Sequence, residues 1–74
     1  MPTIKDFGGF KIVMYFHDRH LPHVHVVSTD FEALVSIAEG VIYDGSIPPK
    51  YRRTALEWIE ENRMMLLAKW EQLQ

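Results

Sequence analysis

All four histidines of this chain, His17, His20, His23 and His25, fall between positions 17 and 25. Imidazole is the side chain that changes charge near neutral pH, and it is also the commonest protein ligand for zinc and related metals. His23 and His25 stand two apart in a run of valines, so in a strand both rings share one side. A divalent metal needs three or four ligands, which His17, His20, His23 and His25 supply as candidates, with Asp18 or Glu32 available to complete the set. General acid–base work is the second chemistry this cluster suggests, with His23, His25 and Tyr15 as candidate catalytic residues and Glu32 near them. The plainer reading is that strand histidines bond to neighbours or line a polar surface. The chain has no cysteine, no nucleophile elbow and no glycine-rich phosphate loop; Gly8-Gly9 reads as a breaker.

A second set of residues could meet anions or RNA. Lys50, Arg52 and Arg53 follow Pro48-Pro49, where a helix is expected to start, and Arg19 lies in the histidine loop. Cations there oppose the helix dipole but would attract a phosphate or carboxylate. The competing reading is a solvated basic turn that pairs with Asp44 or Glu57. The formal charge is -2, whereas a dedicated nucleic-acid binder usually carries a basic excess.

The elements that must position these groups are short. Phe10 to Phe16 reads as a strand with Phe10, Ile12, Met14 and Phe16 on one side and Lys11, Val13, Tyr15 and His17 on the other. Residues 18–22 form a loop ended by Pro22. His23 to Ser28, Phe31 to Ile37 and Val41 to Asp44 read as three further strands, parted by Thr29-Asp30 and Ala38-Glu39-Gly40. Spacers this short favour hairpins, since parallel crossovers need about a dozen residues. From about residue 48 to 73 the spacing of Tyr51, Ala55, Ile59, Leu66, Trp70 and Leu73 predicts one uninterrupted helix. The expected fold is therefore α+β: a four-stranded antiparallel sheet (β-β-β-β-α), about residues 10–45, with one long C-terminal helix packed on one face. Its 74 residues suffice for a single domain, 1–74.

One helix covers one face of a sheet. The other face is expected to carry Val13, Tyr15, His17, His23, His25, Val27 and Leu34, a surface too apolar for solvent alone. A helix of about 24 residues, roughly 36 Å, exceeds the length of such short strands and should overhang them. Trp58 and Met65, at the margin of the helix stripe, join Val13, Tyr15 and Leu34 as candidate partner-binding residues. No apolar run approaches a membrane span and the N-terminus lacks a signal-peptide pattern, so a cytoplasmic protein without a membrane partner is expected.

Met1-Pro2-Thr3-Ile4, Met14-Tyr15-Phe16, Pro22-His23-Val24-His25-Val26, Glu32-Ala33 and Glu57-Trp58 through Trp70, in this order, resemble the small bacterial proteins of the domain of unknown function 4160 family. Asp18, Pro22, His23, His25 and Val26 match the family's loop-and-strand pattern; Arg19, Leu21, Asn62 and Met65 depart from it. Those departures count against a metal site spanning helix and sheet. The resemblance implies a bacterial origin, a compact α+β fold and genes often adjacent to another small domain, an arrangement for which a toxin–antitoxin pairing has been suggested. The leading expectation is thus a small interaction domain, the toxin component of a type II toxin–antitoxin pair, that binds a cognate antitoxin-like protein, with homo-oligomerisation and RNA contact as lesser options. The alternative is a metal-dependent or histidine-based enzyme centred on His23 and His25, with RNA as one candidate substrate.

Overall fold

The computed structural model describes residues 3–15 and 21–73. Five strands, β1 (Thr3–Asp6), β2 (Lys11–Val13), β3 (His23–Val27), β4 (Glu32–Ser36) and β5 (Ile42–Gly45), precede two helices, α1 (Pro49–Glu61) and α2 (Arg63–Leu73). The strands lie side by side in chain order, and every neighbouring pair is antiparallel. The fold is α+β, as expected, and three details differ.

The sheet has five strands, not four. Thr3-Ile4-Lys5-Asp6 has one apolar residue and no alternation long enough to read as a strand, yet it pairs with β2 as an edge. Its turn fixes it there: Asp6 Oδ1 accepts the Gly8 N–H at 2.8 Å, and the Phe7 N–H donates to the Phe10 carbonyl at 2.9 Å. Gly8 occupies φ +92, which glycine adopts without steric cost.

The strands are also shorter than the apolar runs suggest. β2 ends at Val13 and β4 at Ser36, where Gly40 folds back to donate its N–H to the Ser36 carbonyl at 2.8 Å. Gly45, expected to end the last strand, belongs to it.

The long helix is interrupted. Asn62 has φ -112 and ψ 20, and both its backbone N–H and its carboxamide Nδ2 donate to the Trp58 carbonyl, at 3.1 and 2.8 Å. A side-chain donor competing for a helical carbonyl is a recognised cause of a local break. A straight rod of roughly 36 Å would also exceed the longest dimension of the Cα trace, 31 Å. The expected overhang gives way to a second helical segment that returns to the sheet.

The core lies between the sheet and the helices. Phe10, Ile12, Met14, Val24, Val26, Ala33, Val35 and Ile37 line the sheet side, and Ala55, Ile59, Leu66 and Trp70, spaced four apart on each helix, line the other. The opposite face of the sheet is not the open surface expected of it. Val13 and His23 are buried, with Ser36 beside them, while Tyr15, His25, Val27 and Leu34 are half-buried.

Candidate functional site

His23 opens β3, immediately after Pro22. Its Nδ1 lies 2.7 Å from the Leu21 carbonyl oxygen. A carbonyl only accepts, so Nδ1 carries the proton in this contact. The ring is sealed on several sides: Trp70 of α2 lies 5.1 Å away, His25 5.1 Å, and Tyr43 meets it edge-on at 6.0 Å. Tyr43 comes from β5, two strands away. Ser36, the cross-strand partner of His23 on the intervening β4, is small enough for the two rings to meet over it. Trp70 lies in α2, the helical segment that follows the interruption at Asn62. The expectation that a lone helix leaves His23 facing outward is therefore corrected: the ring is 2% exposed and packs against a residue of the main core.

His25 sits one step along the same face. Its Nδ1 lies 3.0 Å from Glu32 Oε2, with side-chain exposures of 14% and 57%. Tyr15 meets its ring edge-on at 4.3 Å. A carboxylate that accepts from one imidazole nitrogen orients the ring, as in acid–base dyads. The nitrogen that would act on a substrate, Nε2, is itself buried. His25 and Glu32 line a groove of about 310 Å³ together with Leu34, Asp44 and Gly45.

Of the candidate catalytic residues, Tyr15, His23 and His25 do come together in one row of rings that ends on Trp70. His17, His20 and Arg19 lie outside the described residues. Among the described residues, no group of three or more His, Cys, Asp or Glu is placed to hold a metal ion.

The basic candidates do not converge. Arg52 donates to the Ile47 carbonyl at 3.1 Å, Arg53 to Glu57 at 3.1 Å, and the Lys50 ammonium lies 4.9 Å over the Tyr51 ring. The pairing of Arg53 with Glu57 is the solvated-turn alternative.

The candidate partner residues separate. Val13 is fully buried, in a strand flanked on both sides by partners Thr3 and His25, so it cannot present a surface. Leu34 is half-buried. Trp58 is half-buried and packs edge-on against Phe7 at 6.0 Å, at the edge of the core. Met65 is exposed.

Sequence reasoning missed most of the exposed apolar surface. Besides Met65 it comprises Leu21, Val41, Tyr43 and, most exposed at 82%, Met64. Arg63 gathers much of it at one end: its Nε donates to the Ile37 carbonyl at 3.0 Å, and its guanidinium lies beside Gly40. The start of α2 is thereby tied to the β4–β5 turn, with Met64 and Val41 one residue from that tie. Leu21 and Tyr43 reach the same end through His23. Spacing does place Met64 off the inward stripe, two positions from buried Leu66, without marking it as a contact; nothing in the sequence announces Tyr43.

A family model described as domain of unknown function (DUF4160) matches residues 9–71. No curated protein and no solved structure matches the chain. Among the described residues, no helix is long and apolar enough to cross a membrane.

Proposed function

We propose that this chain, which belongs to the DUF4160 family, is a protein-interaction domain whose binding surface is the apolar band of Met64, Met65, Val41, Tyr43 and Leu21. The observation that carries the reading is Met64, an apolar side chain 82% exposed beside half-exposed Met65. Exposed apolar side chains drawn toward one end of a small domain support an interaction site, and methionine adapts its shape to a partner at little cost. The partner in this reading is a small cognate protein of the antitoxin kind, and the chain is the toxic member of the pair. Expression in a bacterial host, with and without the product of the adjacent gene, tests this. Growth arrest relieved by the neighbour, and no longer relieved when Met64→Lys and Met65→Lys are introduced, is the expected result. Growth unaffected by the chain alone removes the toxin role.

The His25–Glu32 pair favours the second reading, a histidine-based activity on RNA. Its burial of Nε2 requires the site to open before chemistry. Growth arrest that survives both His23→Ala and His25→Ala rejects it.

A further inference from the structure

Two residues along β2 and β3 from the Val13–His25 pair, at the far end of the sheet from His23, lies a second cavity of about 320 Å³. Its wall includes Gly8, Gly9, Lys11, Val27, Ser28 and Thr29. Its chemistry is the reverse of the groove beside His25, which carries the carboxylates of Glu32 and Asp44. Among the described residues no carboxylate side chain lines this cavity; Lys11, Ser28 and Thr29 bring an ammonium and two hydroxyls instead. Gly8 leaves nothing within 4 Å of the place where a side chain would begin, so a ligand can approach the backbone there.

Two more lysines stand near this end of the sheet but on its helix-covered side: Lys5 pairs with core residue Ile12, and Lys50 is in α1. Lys5 lies 5.7 Å over the ring of Phe7, which stacks on Phe10 at 4.7 Å. Lys50 lies over Tyr51, whose hydroxyl end sits against Gly9. The carboxylates of neighbouring residues are Asp6, the cross-strand partner of Lys11, whose Oδ1 accepts the Gly8 N–H, Glu32, the cross-strand partner of Val27, whose Oε2 lies 3.0 Å from His25 Nδ1, and Asp30, beyond Thr29 in the β3–β4 turn. Among the described lysines, Lys11 is the one that lines the cavity.

We propose that this cavity binds a phosphate group, with Lys11 supplying the charge and the hydroxyls of Ser28 and Thr29 donating hydrogen bonds. A tetrahedral phosphate group suits an ammonium and separate hydroxyl donors better than a planar carboxylate does. The phosphate can belong to a free monoester or to a nucleic-acid backbone. The site does not depend on the partner surface, which lies at the opposite end of β3.

Amide-resolved NMR titration of the full chain at constant ionic strength tests the site. The probes are inorganic phosphate, a single-stranded oligouridine and acetate. Saturable shifts confined to Gly8, Gly9, Lys11, Ser28 and Thr29 are expected with phosphate. Lys11→Gln, at an exposed position, should weaken them at least tenfold, and Thr29→Val should weaken them less. Tighter binding of the oligouridine on the same amides assigns the phosphate to a nucleic acid, and phosphate binding alone assigns it to a small molecule. Equal response to acetate, no saturable shift, or a Lys11→Gln titration matching the native chain overturns the proposal.

Discussion

Trp70 and His23 should be energetically coupled, and a double-mutant cycle measures by how much. Trp70 is 7% exposed at the end of α2, its ring 5.1 Å from that of His23. Truncating a buried tryptophan to alanine costs about 3–5 kcal/mol. A chain of this length is stable by only roughly 4–11 kcal/mol, so Trp70→Ala should leave the protein near its threshold. His23→Ala removes a hydrogen bond to the Leu21 carbonyl, worth about 1 kcal/mol, together with the ring's packing. If the rings interact beyond the area they bury, the double mutant should be more stable than the sum of the single losses by about 0.5–1.5 kcal/mol. Urea denaturation followed by far-UV circular dichroism is the assay, since fluorescence would lose one of the two tryptophans. Trp70→Leu serves as the milder variant where alanine leaves too little folded protein. Additivity within about 0.3 kcal/mol, or a Trp70→Ala loss below about 1 kcal/mol, would refute the claim that α2 closes the His23 end of the sheet.

Four further outcomes follow from the geometry. Gly45→Ala should destabilise by at least about 2 kcal/mol in denaturant melts, because Gly45 has φ +75 and an added methyl collides with the Glu32 carbonyl. Gly9→Ala should cost less, since the atom it meets is the movable hydroxyl end of Tyr51, and a ranking of the two reversed from this would count against the turn geometry. Arg63→Ala should lower stability by about 1–2 kcal/mol, by freeing the Ile37 carbonyl from the start of α2. Glu32→Gln should change it by no more than about 1 kcal/mol, the usual worth of a pair with an exposed partner.

Much of the sheet could be read from the sequence because its apolar residues alternate. Phe10, Ile12 and Met14, Val24 and Val26, and Ala33, Val35 and Ile37 all reach the core as their spacing requires. β1 escaped notice because an edge strand pairs through its backbone and needs no buried face; Ile4 alone packs inward. The break at Asn62 was hidden because the inward positions continue in step across it, from Ile59 to Leu66. The histidine row was legible in part. Alternation placed His23 and His25 together, but their burial depends on Trp70, 47 positions further along the chain than His23. Periodicity describes which side of an element a residue takes, not which distant residue will cover it. The surface was least legible: a methionine outside the inward stripe looks the same whether it will meet solvent or a partner.

The central claim is that a protein docks on the Met64 end of the molecule. A photoreactive amino acid placed at position 64, at position 65 and, as control, at exposed Thr54 of α1 probes this directly in the native host. One discrete adduct from positions 64 and 65, absent from position 54, is predicted. Identical adducts from all three positions, or none from any, would contradict it.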